Sequence, residues 1–296
     1  MSHVAVSKTY KLFIGGAFPR SESGRTYQAR DNKGDFLANA ALASRKDLRD
    51  AVVAARKGHT AWSKATAYNR GQVIYRIAEM LEGRRTEFVE LIMISTGAPA
   101  KVATAEVDAA IDRLVHYAGW TDKLAAVLGS ANPVSSPHFS YSAPEPTGVV
   151  GILAPPGSPL LGLVSVLAPV ITGGNACVVI AAEQDPCVAV TFAEVVATSD
   201  VPAGVINILT GRTAEVAPHL AAHADVNALD LTGADAELRK SLEQAAAETV
   251  KRVYVPKGVP DFAAAPGTAR LRAFLEIKTV WHPTGSLTLS DGAMRY

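Results

Sequence analysis

Apolar residues recur along this chain with two different periods, and the expected architecture changes where the period changes. Residues 10–14 read Tyr-Lys-Leu-Phe-Ile before Gly15 and Gly16, and residues 23–27 turn into a second extended stretch, which predicts a small β arm. From Ser44 the period lengthens to that of a helix, with Ser44 placed as the cap and Asp47 in the first turn. Leu48, Ala51, Val52 and Ala55 form one apolar stripe, and Ile74, Ile77, Ala78 and Leu81 a second. Phe88, Leu91 and Ile92 form a third, and Val107, Ala110, Ile111, Leu114 and Ala118 a fourth. Trp62 and Trp120 follow the first and fourth stripes as packing anchors between helices.

Residues 131–146 are bounded and interrupted by Pro, so they read as extended chain, with an edge strand at Phe139-Ser140-Tyr141-Ser142. Beyond them strands and helices alternate. Val149–Leu153 has no polar side chain, as expected of a strand buried on both faces. Leu160, Val164, Leu167, Ala168 and Ile171 have helical spacing that Gly173-Gly174-Asn175 ends. Ala176–Ile180 is the next strand, and Asp185-Pro186 supplies an N-cap with Pro at the first helical position. Strands at 205–209, 228–231 and 252–255 then alternate with helices at 213–222 and around Leu238, Leu242 and Ala245. This alternation predicts an α/β fold, a doubly wound parallel sheet of Rossmann-like type with N-terminal helices and a small β arm. The expected division is 1–130 (β arm and helices), 131–146 (hairpin), 147–260 (α/β domain) and 261–296 (tail).

Composition narrows the classes. The net charge is +1 with Lys and Arg scattered, which argues against a nucleic-acid or membrane-surface partner. The start of the chain lacks the pattern of a secretory signal, so the cytoplasm is the expected location. Cys177 and Cys187 are the only cysteines, and no Cys or His stands in a metal-ligand spacing. No metal is expected.

In a doubly wound sheet, ligands bind beyond the carboxyl ends of the strands. The loops there are residues 155–159, 181–186, 210–212 and 232–235, none of them a GxGxxG or Walker loop. Gly233 at a strand-to-helix turn is weak evidence for a phosphate cradle, because backbone geometry alone often demands a Gly.

Here the residues carry a resemblance. Val205-Ile206-Asn207-Ile208-Leu209-Thr210-Gly211, His223 and Leu231-Thr232-Gly233 follow Gly148-Val149-Val150-Gly151 and Glu183-Gln184-Asp185-Pro186 in the order of the aldehyde dehydrogenase superfamily. Lys11-Leu12-Phe13-Ile14-Gly15-Gly16, Thr96-Gly97-Ala98-Pro99, Tyr117-Ala118-Gly119-Trp120 and Glu276-Ile277-Lys278-Thr279-Val280 extend the match over nearly the whole chain.

The resemblance implies chemistry by a Cys nucleophile, an oxyanion-hole Asn, a general-base Glu and a nicotinamide. It places the Cys in a catalytic lobe after the point matching Val255, and here the chain passes instead through Val255-Pro256-Lys257-Gly258 into a tail. Gly157 stands where the family has its Asn, and Pro256 where it has its Glu. No catalytic residue is therefore expected. Cys177 and Cys187 read as packing residues. In the cofactor pocket Ile180 replaces the family's ribose-binding Lys, Ala234 its Ser and Leu238 its second Gly, while Asp235 adds a negative charge where a diphosphate would lie. Glu183, Gly211, Thr232 and Gly233 remain as vestiges, and no cofactor is expected.

The chain also resembles the degenerate second module of two-module aldehyde dehydrogenases, which keeps the cofactor-like fold and the β arm without a catalytic lobe. That implies a non-catalytic subunit packing on a full-length aldehyde dehydrogenase paralogue in a hetero-oligomer, through Phe139, Tyr141, Lys278, Val280 and Trp281, and with residues 286–289 a possible continuation of the tail strand. Two alternatives stay open. One is an active NAD- or NADP-dependent aldehyde dehydrogenase using Cys187 or Glu183. The other is a binder of a different small ligand, with Arg212, His219 and His223 as candidate contacts.

Overall fold

The structure, a computed structural model, describes residues 8–284. Its centre is a parallel sheet of five strands, β6 (Val149–Leu153), β7 (Ala176–Ile180), β8 (Ile206–Leu209), β9 (Ala228–Asp230) and β10 (Arg252–Tyr254). They lie in the order β10-β9-β6-β7-β8. Helices α6 (Leu161–Thr172), α7 (Pro186–Ala197), α8 (Thr213–Ala222) and α9 (Ala236–Ala247) connect them. The chain winds from β6 outward through β7 to β8, then returns to lay β9 on the other side of β6. The switch point lies between β6 and β9, and it opens a cleft beyond their carboxyl ends.

Strand side chains alternate between two cores, as a period of two requires. Val150, Ile152, Cys177 and Val179 face α2 (Ala67–Gly83), α4 (Ala100–Ala118), α6 and α7. Val149, Leu153, Val178 and Ile180 face α1 (Arg45–Trp62), α8 and α9. Both faces are covered, which is why these strands contain no polar alternation. The expected helical stripes land in these cores, and α3 (Arg85–Thr96) adds Phe88 and Ile92 to the first. Ser44 forms a capping box with Asp47 at α1, as its sequence position predicts. Trp62 is buried and donates from its ring nitrogen to Ile171 O at 2.9 Å, bolting the end of α1 to α6. Trp120 is half-buried against the same core.

Several expectations need correction. Only β1 (Thr9–Tyr10) of the predicted first strand joins the N-terminal sheet of order β1-β3-β2, with β2 at Thr26–Arg30 and β3 at Phe36–Ala41. Phe13 instead exchanges two backbone hydrogen bonds with Ile208, adding an antiparallel edge to β8, because the positive-φ glycines Gly15 and Gly16 turn the chain there. β3, Phe-Leu-Ala-Asn-Ala-Ala, was missed because its small residues carry no clear alternation. Asp185 holds the N-cap position of α7, but its side chain makes no capping hydrogen bond.

The arm is a third sheet, of order β11-β5-β4, from β4 (Ser130–Asn132), β5 (His138–Pro146) and β11 (Leu275–Pro283). β5, expected at an edge, is its middle strand, paired with β11 from Leu275↔Pro146 to Pro283↔His138. Residues 286–289 lie outside the described residues.

Short helices α5 (Leu124–Leu128) and α10 (Ala269–Ala273) precede β4 and β11. Arg270 of α10 reaches the fully buried Asp230 at the end of β9, Nη1 to Oδ2 at 2.8 Å, and so pins the start of the arm strand to the main sheet. Breaking such a buried pair strands a charge. Arg270→Met is expected to destabilise the fold by about 3–5 kcal/mol in urea unfolding, and Asp230→Leu added to it to recover part of that loss.

Candidate functional site

The loops beyond β6, β7, β9 and β10 surround the cleft at the switch point. Two adjoining cavities fill it. One, of about 610 Å³, is lined by Gly157, Ser158, Thr232, Arg239, Pro256 and Phe262. The other, of about 430 Å³, is lined by Glu183, Gln184, Thr213, Gly233, Asp235 and Leu238. Pro156, Thr232 and Ala234 border both. Gly157 and Pro256, far apart in sequence, thus line the same cavity.

Helix N-termini carry unpaired N–H groups that make such clefts natural anion sites. Here the chain takes those donors for itself. Glu106, from α4, accepts from Ser158 Oγ at 3.2 Å and from the N–H groups of Leu160 and Leu161 at 3.0 and 3.2 Å, capping α6, which has no cap of its own. Glu183 accepts from Thr213 N at 2.6 Å at the start of α8 and from Arg212 Nη1 at 3.2 Å. Asp235 accepts from Leu238 N at 2.8 Å in the first turn of α9. At the β9 turn, both the N–H and the hydroxyl of Thr232 donate to Asp230, while Arg270 holds the other oxygen of that carboxylate and donates to Thr232 Oγ1 at 3.1 Å.

The glycines divide by cause. A Cβ at Gly233 would lie 2.2 Å from Ala154 O, so Gly233 serves the close passage of the β9 turn over the β6 loop. At Gly211, with φ +154°, an added Cβ would lie 3.1 Å from Ala43 N, a tighter contact than a side chain normally makes. Gly157 has φ +82° and nothing within 4 Å of its would-be Cβ, so it leaves the lip of the cleft open and without a side-chain donor.

Neither thiol is available for chemistry. Cys177 lies fully buried in β7 and Cys187 is buried at the start of α7; burial pushes each thiol up to about 12. At Cys187 a hydrogen bond with Tyr10 and the charge of Lys8 pull the other way without outweighing burial. The charged groups singled out in the sequence are not brought together. Arg212 pairs with Glu183 and lies over the Tyr27 ring at 5.1 Å, whereas His219 and His223 line a separate cavity between α1 and α8.

Sequence reasoning missed Glu106 and Asp230 as shapers of the cleft. Glu106 lies on α4, far from any loop of the sheet, so only packing reveals it. Asp230 was legible in principle, as a charged residue inside an apolar strand.

Fold and cleft together define a nucleotide-cofactor type of α/β architecture. The sequence profile of the aldehyde dehydrogenase family matches residues 19–273, and the chain belongs to that family. It is 33% identical over 254 residues to the putative aldehyde dehydrogenase DhaS of Bacillus subtilis, covering 84% of this chain and 50% of that protein. It is 31% identical over 253 residues to the NADP(+) D-glyceraldehyde dehydrogenase of Thermoplasma acidophilum, covering 85% of this chain and 51% of the other. Among solved structures, the NAD+ complex of the Bacillus cereus aldehyde dehydrogenase superposes with a TM-score of 0.78 at 28% identity, over 83% of this chain and 50% of that one. The chain spans about half the length of these relatives.

Asp185 borders the cleft on the Tyr27 side and is 6% exposed, and burial together with the charge of Glu106 raises its carboxyl to about 6. A carboxyl raised from 3.8 binds its proton more tightly in the folded state, so its contribution to stability falls as pH rises from 3.8 to about 6 and stays lost above. Asp185→Asn is expected to stabilise the protein by about 2–3 kcal/mol at pH 7.5 and to change little near pH 4, as read by denaturant unfolding at the two pH values.

Proposed function

We propose that this chain is a non-catalytic member of the aldehyde dehydrogenase family that packs on a full-length family enzyme and completes or regulates it. The observation that supports this reading is the cleft in which Glu106 caps α6, Asp230 holds the Thr232 turn and Asp235 caps α9, so that carboxylates already accept from N–H groups around it. A dinucleotide diphosphate would have to displace those carboxylates or sit beside them. At roughly 5 Å each carboxylate repels a unit charge by about 1–3 kcal/mol, depending on the effective dielectric.

The remaining chemistry points the same way. By resemblance, Gly157 and Pro256 occupy the positions of the oxyanion donor and the general base, and the thiol-bearing lobe would stand between β10 and β11, which residues 255–274 join directly here. The resemblance to the degenerate module of two-module aldehyde dehydrogenases supports the same reading.

The arm supplies the docking surface. Both of its faces carry exposed apolar groups: Ile277 and Trp281, 56% and 55% exposed, on one, and Phe139, 50% exposed, beside Tyr141, Val280 and Lys278 on the other. Trp281 packs edge-on to His138, and Tyr141 stacks between Phe139 and His282. A three-stranded sheet gains stability from a buried face, and this one leaves large apolar side chains outward on both.

Two measurements test the proposal. NAD or NADP titrated calorimetrically is expected to show no saturable binding below about 1 mM, and aldehydes with either cofactor no turnover. Mixed with a full-length aldehyde dehydrogenase paralogue, the chain is expected to co-elute, and Trp281→Glu with Ile277→Glu to weaken that association by about 2 kcal/mol or more. A self-sufficient homodimer indifferent to every such enzyme, or steady NADH formation by the chain alone, overturns it.

A further inference from the structure

Away from the cleft, a second concavity of about 520 Å³ opens at the seam between α1 and α8. It is lined by the buried Leu48 and the exposed Ala222, by Arg45, Lys46 and Arg49 of α1, and by His219 of α8 with His223 at its end. No carboxylate lines it. Lys46 reaches Glu22 at 3.3 Å and Arg49 reaches its neighbour Asp50 at 2.8 Å, both in exposed pairs that yield readily to a stronger anion. Among the described residues Arg45 has no ion-pair partner.

The basic surface continues past the cavity. Arg45, Arg49 and Arg56 stand at i, i+4 and i+11, on one stripe of α1 about 16 Å long. His223 sits in the field of both Arg56 and Lys251; burial first, and then these charges, push its pKa down, while Asp225 opposes them. Asp225 is exposed and 3.8 Å from Arg56.

Lys251 is the telling residue. It is 9% exposed, touches only the hydroxyl of Thr249 among polar side chains, and has no carboxylate partner among the described residues. The turn that delivers it holds Val250 at φ +55°, a left-handed conformation that a β-branched residue rarely adopts. Val250 itself is 90% exposed, and its left-handed conformation caps the end of α9, where Val250 N–H donates to Ala247 O and Lys251 N–H to Ala246 O, so this cap is what carries the chain back to Lys251.

We propose that the seam between α1 and α8 binds an oligophosphate, a ligand carrying several phosphoryl groups in a row. Arg45 and Arg49 hold one end, Arg56 and Lys251 the other, with His219 and His223 between. A single phosphate needs one focus of donors; cations spread along a helix stripe suit a chain of charges. This site is separate from the cofactor cleft and does not rest on the non-catalytic reading.

Tripolyphosphate titrated calorimetrically into the purified protein is the test. Saturable binding that weakens with added salt is expected, and Arg45→Gln with Arg49→Gln, both exposed, to weaken it about tenfold or more without loss of fold. Lys251→Met is expected to act likewise, and Asp235→Asn in the cleft to leave binding unchanged. ATP run beside tripolyphosphate separates the sources: tighter ATP means that Leu48 and Ala222 receive a nucleoside, equal affinity that the phosphate chain is the whole ligand, and either keeps the site. Absence of tripolyphosphate binding, or binding that survives the Arg45→Gln and Arg49→Gln pair, overturns the proposal.

Discussion

Every helix that starts at the carboxyl edge of a parallel sheet presents N–H groups that must find an acceptor. In a nucleotide-binding fold, the ligand supplies that acceptor. Here carboxylates of the chain accept from several of those N–H groups, and that organises the surrounding structure. Glu106 reaches across from α4 to close α6, so the helical layer and the sheet are joined at the cleft. Glu183 closes α8 from the loop after β7. Asp230 gathers Thr232 and Arg270, which ties the β9 turn to the segment leading into the arm. Around the cleft these carboxylates form a set of internal joints between the helices, the sheet and the arm.

That constraint sits on top of an intact family architecture. The packing determinants are intact: strand side chains alternate between two cores, Gly233 lets the β9 turn pass over Ala154, and Trp62 anchors α1 to α6. None of these needs a ligand. Gly157, Ala234, Leu238 and Pro256 line the cleft, and Ala234 and Leu238 also pack against the second core. The basic seam between α1 and α8 lies outside both, on surface that neither the sheet nor the arm uses.

Much of the fold was legible in the sequence wherever a period was strong. The β6 and β7 strands, the α8 helix and the capping box at Ser44 could be placed because unbroken apolar runs, helical stripes and short cap motifs are local signals. β3 was not, since a run of Ala and Asn fits any state until Tyr27 and its neighbours pair with it. The central position of β5 was hidden for another reason: whether a strand is at an edge depends on partners, and one of its partners begins at Leu275. For the cleft, substitutions at single positions could be read off directly, but the capping role of Glu106 could not, because the helix that carries it and the helix it caps meet only in the folded core.

The arm has a further consequence in time. Its middle strand, β5, is synthesised well before β11, and the register from Pro146↔Leu275 to Pro283↔His138 cannot close until the later strand has left the ribosome. The sheet cores on which the arm rests are made of residues that come earlier, and α10 is locked to β9 by Arg270 immediately before β11 begins. The arm is therefore the last part of the described chain to take shape, and it closes on a core that has already folded.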